Sequence, residues 1–165
     1  MNQLVHRSTR LLEDKLGPEV HFEIATSSEL PPTKGSPELI QQMLFNLLIN
    51  AADSMNNKGT ILIKTFLRKN WEFETILKPR TAPDYLLIEI TDKGCGISKE
   101  YLNRIFEPFF TTKSFSSRKG TGLGLSTVYE FAGDMGYGLA VDSITGRGST
   151  FRIVIPLPER ESIPS

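Results

Sequence analysis

Residues 36–59, SPELIQQMLFNLLINAADSMNNKG, predict one helix, and the burial of this helix decides the fold. Ser36 suits the N-cap position and Pro37 the first helical position, while Asn57 and Gly59 suit the end of the helix. Between these ends the helix is apolar on most of its circumference, which is typical of a helix that is buried on most sides. We therefore expect the rest of the chain to be organised around it.

Four polar residues interrupt the apolar surface of this helix at helical spacing: Gln42, Asn46, Asn50 and Asp53. They lie on one face, where a buried amide without a hydrogen-bond partner costs about 1–3 kcal/mol and a buried charge costs more. Two interpretations are open. The stripe either bonds to neighbouring loops as a core network, which is the usual explanation for an isolated pair of Asn residues, or forms one wall of a polar ligand pocket.

Composition excludes several classes of protein. With 165 residues the chain suits one domain, and its 19 basic and 19 acidic residues give no net attraction to nucleic acid or to a membrane. A single cysteine, Cys95, excludes an internal disulfide, and two histidines with one cysteine are too few and too dispersed for a structural zinc site. No apolar run approaches the roughly 20 residues of a membrane span, so we expect a soluble, cytoplasmic domain, although its full-length protein can be membrane-anchored.

The hydrophobic pattern outside the central helix predicts a mixture of helices and strands. The predicted elements are a helix over 2–16, a strand over 20–26, the central helix, strands over 61–67 and 85–91, a short helix over 98–105, a helix from about 123, and strands over 138–144 and 150–157. Residues 68–83 read as a long hairpin connection, and residues 107–124 as a mobile surface loop.

These elements predict an α/β (α+β) two-layer sandwich, in which a mixed, mainly antiparallel sheet carries helices on one face. The expected organisation is an N-terminal helix over 1–17, which can be the end of an upstream region, a domain over 18–158 and a tail over 159–165.

Common nucleotide motifs are absent from the chain. There is no G-x-x-x-x-G-K-[ST] phosphate loop, and there are no H-R-D or D-F-G landmarks of protein kinases. The sequence GTGLGL at 120–125 also lacks the strand and acidic residue of a dinucleotide-binding unit.

A different glycine element follows the strand over 85–91. Asp92 ends this strand, and Gly94 and Gly96 follow, so that a flat ligand can approach the backbone beside one carboxylate. A carboxylate accepts hydrogen bonds and the exocyclic amine of adenine donates them, so Asp92 suits the recognition of adenine. The alternative is an ordinary D-K-G turn, which is the commoner explanation for this motif taken alone.

A second glycine element precedes the last helix. The amides beside Gly120, Gly122 and Gly124, together with the helix dipole, suit a phosphate-binding corner, which Lys113 and Lys119 flank as point charges. The alternative is a flexible loop with solvated lysines.

A bound triphosphate requires Mg²⁺, which prefers oxygen ligands and keeps several waters. The amide oxygens of Asn46 and Asn50 suit that role, so the polar stripe and the glycine loop explain each other.

In this order, N-x-x-x-N on a helix, D-x-G-x-G after a strand, F-x-x-F-F, and G-x-G-x-G before a helix, the chain resembles the ATP-binding domain of bacterial sensor histidine kinases. The sequences that carry the resemblance are NLLINA at 46–51, DKGCGI at 92–97, FEPFFTTK at 106–113 and GTGLGLS at 120–126, which are similar to the N, G1, F and G2 boxes. The match runs from about residue 30 to 158. It implies the Bergerat fold of the wider gyrase, chaperone and mismatch-repair superfamily, with ATP bound beneath a mobile lid.

The resemblance also implies roles for individual residues. Asn46 would coordinate Mg²⁺, Asn50 would support the phosphates or the Mg²⁺ shell, and Asp92 would bind the adenine amine. Either Ser149 or Thr150 would be the hydroxyl near adenine; Thr150 is taken as the candidate, although the motif leaves the choice open. Phe106 and Phe109 would anchor the lid. The other implied ATP-pocket residues are Asp53, Gly94, Gly96, Ile97, Thr112, Lys113, Lys119, Gly120, Thr121, Gly122, Leu123, Gly124 and Leu125.

Two departures from the family pattern bear on the reaction. Neither His6 nor His21 lies in an H-E-x-x-x-P pattern, so this chain contains no phosphoacceptor. Gln42 stands one turn before Asn46, where hydrolytic members have a glutamate that activates water, and glutamine cannot act as that base. The resemblance therefore favours phosphoryl transfer over hydrolysis, since positioning and electrostatics carry most of such a transfer.

The expected function is that of the catalytic domain of a two-component sensor histidine kinase, with ATP and Mg²⁺ as cofactors. Its expected partners are a histidine-bearing dimerisation domain of the same protein and a downstream response regulator, with no nucleic acid and no membrane contact; the isolated chain should not phosphorylate itself. The alternatives are an anti-sigma-type serine kinase and an ATP-binding switch without transfer. A hydrolytic ATPase is disfavoured by Gln42.

Overall fold

The computed structural model describes residues 1–110 and 124–159. The elements in chain order are α1 (Asn2–Leu16), β1 (Val20–Thr26), α2 (Pro37–Ser54), β2 (Gly59–Arg68), β3 (Asp84–Asp92), α3 (Lys99–Leu102), α4 (Gly124–Met135), β4 (Gly138–Ile144) and β5 (Gly148–Leu157). The predicted helices and strands are confirmed, except that α2 ends at Ser54 and not at 57–59, and α3 ends at Leu102 and not near residue 105.

The described strands form one sheet in the order β1-β2-β3-β5-β4. β1 pairs with β2 in parallel, and the other neighbours pair antiparallel, which confirms the mixed, mainly antiparallel sheet. β3 lies in the middle, and its Leu86, Ile88 and Ile90 join one core with residues of α1, α2 and α4. The helices therefore pack on one face of the sheet, as predicted.

The central helix α2 begins where its sequence predicts, but it ends at Ser54, three residues before the predicted stop at Asn57. The Ser36 hydroxyl accepts a hydrogen bond from the Leu39 amide (3.3 Å), and Pro37 is the first helical residue. After Ser54 the chain leaves the helix through Asn56 and Asn57, both with a left-handed φ. The α2 side chains Met43, Leu44, Leu47 and Leu48 are almost completely buried, so this helix is the centre of the core.

The N-terminal helix α1 shares this core through Val5 and Leu12. Its first residue joins it to the sheet, because the Asn2 amide donates to Ser27 O (2.6 Å) and accepts from the Thr65 hydroxyl (3.0 Å). None of the described helices has both the length and the apolar character that crossing a membrane requires.

The connection between β2 and β3 covers part of the other face of the sheet, which its sequence did not predict. Trp71 packs edge-on against Tyr85 with ring centroids 4.8 Å apart, and Phe73 lies under the Arg152 guanidinium at 4.6 Å. Further along, Leu77 pairs with Leu139 of β4 through backbone hydrogen bonds of 3.2 and 2.9 Å. The connection thus leads from β2 across the sheet to its far edge before it returns to β3.

The turn between β4 and β5 sits directly against the end of β3. Gly146 and Gly148 have φ angles of 79° and 115°, which favour glycine. A Cβ on Gly148 would overlap with the backbone carbonyl of Asp92, whereas a Cβ on Gly146 would have no heavy atom within 4 Å. Both glycines serve the conformation of the turn, and Gly148 also allows its close approach to β3.

We expect Gly148→Ala to destabilise the fold far more than Gly146→Ala, its matched control. Gly146→Ala should cost about 1–2 kcal/mol, the penalty for a left-handed L-residue. Gly148→Ala should cost more, because the backbone of β3 must also move. Urea unfolding followed by circular dichroism measures both free energies, and equal losses would contradict the close approach of the turn to Asp92.

Candidate functional site

The buried carboxylate of Asp92 forms the floor of a site at the end of β3. Asp92 is only 2% exposed. The Oδ1 atom accepts a hydrogen bond from the Gly94 amide (2.8 Å), whereas Oδ2 is buried and has no hydrogen-bond partner among the described residues. An acceptor left in this state costs free energy, which indicates that a ligand group or a water completes it.

Burial raises the pKa of the Asp92 carboxyl above its usual value. The Gly94 amide, the Ser54 hydroxyl and the Ser149 amide act in the opposite direction, but desolvation is the largest cause. The Ser54 hydroxyl also lies 2.7 Å from Ala51 O, to which it donates, and Oδ2 has no partner among the described residues. The site therefore presents a poorly solvated acceptor.

The glycines after Asp92 allow the loop to pack against neighbouring elements. A Cβ on Gly94 would overlap with Ser54 at the end of α2, and one on Gly96 would overlap with the Ile144 carbonyl at the end of β4. Between them, the Cys95 amide donates to Ser54 O (3.1 Å). Access for a flat ligand is the predicted reason for these glycines. The structure shows a second reason for them, the close packing of the loop against α2 and β4.

The hydroxyl beside Asp92 belongs to Ser149 and not to Thr150. Asp92 stands opposite Ser149 in the β3–β5 register, and Thr91 stands opposite Thr150. Because successive side chains on a strand point to opposite faces, Thr150 lies on the far face, where its hydroxyl bonds to that of Thr91 at 2.9 Å. The choice of Thr150 as a pocket residue therefore does not agree with the geometry.

The polar stripe of α2 lies at a partly exposed edge of the helix and not in the closed core. Gln42 is exposed, and its amide donates to Asn46 Oδ1 at 3.2 Å. Asn46 Nδ2 donates to the carbonyl of Gly124, the first residue of α4, at 3.2 Å. Asn50 and Asp53 follow on the same side of α2, half-buried. The stripe is partly bonded, as the core-network interpretation expects, yet it stays accessible, as a pocket wall requires.

Phe106 and Phe109, both predicted to anchor the lid, differ in burial. Phe106 is buried and packs against Tyr129 and Phe151, which agrees with an anchoring role. Phe109 is 75% exposed and has a left-handed φ of 64°, so it is not buried among the residues that the structure describes. Its neighbour Phe110 packs against Tyr101 instead, with ring centroids 5.6 Å apart.

Of the other predicted pocket residues, Ile97 and Leu125 pack against the core. Several lie outside the described residues: Thr112, Lys113, Lys119, Gly120, Thr121, Gly122 and Leu123. Sequence reasoning missed Ser54 and Ser143, whose side chains contact the Asp92–Ile97 loop. The alternation of Leu139, Val141 and Ser143 along β4 was the available signal, since it places Ser143 on the helix-covered face of the sheet.

Comparison with known proteins agrees with this geometry. Residues 35–159 match the family described as histidine kinase-, DNA gyrase B-, and HSP90-like ATPase. The sensor kinase CckA of Brucella abortus is 38% identical over 150 residues, which cover 88% of this chain and 15% of the relative. The histidine-protein kinase AtoS of Escherichia coli is 32% identical over 158 residues, 95% of this chain and 23% of the relative. The chain thus spans less than a quarter of the length of these two curated relatives.

Solved structures show the same fold. The catalytic domain of the histidine kinase ThkA superposes with a TM-score of 0.72 at 25% identity, covering 96% of this chain and 93% of that one. The mycobacterial sensor histidine kinase MprB also gives a TM-score of 0.72, at 24% identity over 96% and 95% of the two chains. The chain therefore belongs to the histidine kinase-, DNA gyrase B-, and HSP90-like ATPase family, and it is homologous to the catalytic domains of sensor histidine kinases.

Proposed function

We propose that this chain binds Mg-ATP and presents it for transfer of the γ-phosphoryl group to a histidine on a separate dimerisation domain of a two-component sensor kinase. One observation carries the proposal: the buried Asp92 Oδ2 has no hydrogen-bond partner among the described residues. The exocyclic amine of adenine donates the hydrogen bond that this atom lacks. A guanine ring presents an acceptor at the corresponding position, so the carboxylate favours adenine.

The stripe on α2 supports the position of the triphosphate. Residues from Asn46 to Ser54 rise about 12 Å along the helix, which is comparable with the length of a nucleoside triphosphate. Ser54 contacts the Asp92 loop, so Asn46 and Asn50 would face the phosphates when adenine lies at Asp92. The carbonyl of Gly124, bonded to Asn46, connects this wall to the beginning of α4.

The donor set fits a cation that arrives with the nucleotide. The described residues contain no group of three His, Cys, Asp or Glu side chains that could hold a metal alone. Mg²⁺ keeps several waters and binds through one or two protein ligands plus phosphates, for which Asn46 Oδ1 is suited. When bound, Mg²⁺ neutralises charge on the phosphates during transfer.

Gln42 supports transfer to a side chain over hydrolysis. It occupies the position one turn before Asn46, and its amide donates to Asn46 Oδ1, so it orients a neighbour but cannot remove a proton from water. The names of the curated relatives, sensor kinases, favour a histidine over the serine acceptor of anti-sigma-type kinases. The dimerisation domain and the response regulator are proposed partners on the same basis.

Incubation with γ-labelled ATP tests the transfer. We expect no label on this chain alone and, once a histidine-bearing dimerisation domain is added, acid-labile label on that domain. The control is the same domain with its acceptor histidine replaced by glutamine. Label on His6 or His21 of this chain, or on a serine of a partner, would contradict the proposal. Nucleotide binding without transfer to any histidine domain would indicate a binding switch.

We expect Asp92→Asn to weaken ATP binding by about tenfold to a hundredfold, the loss of a hydrogen bond to a charged group. Asparagine keeps the acceptor for the Gly94 amide but turns a donor towards the adenine amine. Isothermal titration calorimetry measures the change. The matched control is Asp142→Asn, which removes a carboxylate from the far face of the sheet. Unchanged ATP affinity in Asp92→Asn would remove the assigned role.

We expect Asn46→Ala to weaken binding of Mg-ATP more than binding of ATP in excess EDTA. The substitution removes the amide oxygen that suits the cation and leaves the adenine site intact. Fluorescence titration with a labelled ATP analogue, with and without Mg²⁺, measures both affinities. Equal effects under the two conditions would argue for a role in holding Gly124 alone.

The raised pKa of Asp92 predicts the pH dependence of stability. The folded state binds this proton more tightly than the unfolded state, so ionised Asp92 costs stability at neutral pH, and the cost disappears as pH falls through the raised pKa. We expect the wild type to gain stability relative to Asp92→Asn as the pH falls from 7 to 4. The gain should be about 1.4 kcal/mol for each unit by which folding raises the pKa of Asp92. Urea unfolding of both proteins measures the difference, and a constant difference would contradict the desolvated carboxylate.

A further inference from the structure

Three polar residues form a row across the sheet at the adenine end of the proposed site. Asp92 of β3 stands opposite Ser149 of β5, and Ser149 stands opposite Ser143 of β4. All three lie on the helix-covered face, because the residues two positions away on their strands, Ile90, Phe151 and Val141, belong to the main core or pack against it. The row therefore ends at the unpaired Asp92 Oδ2.

The hydroxyl of Ser143 makes three close contacts, although it has a single proton. It accepts a hydrogen bond from the Ile97 amide (2.7 Å), and it lies 3.1 Å from Gly148 O and 2.8 Å from Ser149 Oγ. A carbonyl oxygen only accepts, so Ser143 donates to Gly148 O. The remaining contact is then satisfied when the Ser149 hydroxyl donates to Ser143 Oγ.

This arrangement accounts for the unpaired acceptor. Opposite residues in an antiparallel pair have Cβ atoms about 5 Å apart, so a free Ser149 hydroxyl could turn towards the neighbouring carboxylate. With the donors assigned in this way, the proton of Ser149 points to Ser143, and Asp92 Oδ2 has no partner among the described residues.

We propose that Ser143 is a positioning residue that holds the proton of Ser149 away from Asp92 and so keeps Oδ2 free for the adenine amine. This inference rests on the proposed function, since it assumes that an adenine nucleotide binds at Asp92. Ser143 also secures the loop that follows Asp92 through the Ile97 amide. Loss of that bond would weaken nucleotide binding by a purely structural route, so the test must separate the two effects.

A double-mutant cycle separates them. ATP affinity is measured by calorimetry for the wild-type chain, Ser143→Ala, Ser149→Ala and the double variant. We expect Ser143→Ala to weaken binding by about threefold to tenfold, because Ser149 then donates to Asp92 and competes with adenine. In the Ser149→Ala background no competing donor exists, so Ser143→Ala should have almost no further effect. Ser143→Thr, which keeps the hydroxyl, should retain the wild-type affinity.

The titration of Asp92 gives a readout that is independent of the nucleotide. The ¹³C shift of its carboxyl, followed against pH, should report a lower pKa in Ser143→Ala than in the wild type, because a new hydrogen bond favours the ionised form. The double variant should not show this decrease. Ser8→Ala is the matched control, since it removes a buried serine hydroxyl that bonds to Leu4 O on α1, away from the site.

The possible results are distinct. Non-additive affinities together with the lowered pKa of Asp92 in Ser143→Ala support the inference. An equal loss of affinity from Ser143→Ala in both backgrounds, or an unchanged pKa, overturns it and leaves the proposed function intact. A wild-type chain that binds no adenine nucleotide overturns both.

Discussion

The docking of the glycine loop on the end of α2 is the contact on which the site depends. The Cys95 amide bonds to the Ser54 carbonyl, and Gly94 permits this approach because any side chain there would overlap with Ser54. The contact satisfies a carbonyl that the end of a helix leaves without an internal partner. It also brings the end of a buried core helix and the end of the middle strand of the sheet together.

The site is held from the opposite side by the β4–β5 turn. The Gly146 amide donates to Cys95 O at 2.7 Å, and Gly148 lies against the backbone of Asp92. The loop is thus fixed between a helix end and a hairpin, and both hydrogen bonds are made by backbone atoms. Such a frame can keep an unpaired carboxylate in place, although burial raises its pKa and the missing bond costs stability.

Much of the fold was predictable because strong local signals agree with it. The caps and apolar surface of α2, the alternation along the strands and the glycine turns each specify one outcome. Asp92 and Asn46 were recognisable as candidate site residues because their motifs combine a strand end or a helix face with an unusual polar residue. Two site predictions differ from the geometry for specific reasons. Thr150 and Ser149 are adjacent, and only the pairing register decides which one faces Asp92. Phe109 and Phe110 are equally apolar, and a left-handed φ turns Phe109 outward.

The path of the β2–β3 connection was unpredictable, because residues 69–83 carry no period and their contacts are with strands far away in sequence. Its consequence concerns the surface of the sheet. β4 is an edge strand, and an exposed edge offers free amides and carbonyls to any other extended chain. By bonding to Leu139, Leu77 occupies part of that edge from within the same molecule. The connection therefore limits strand pairing between molecules and protects this domain against edge-to-edge aggregation.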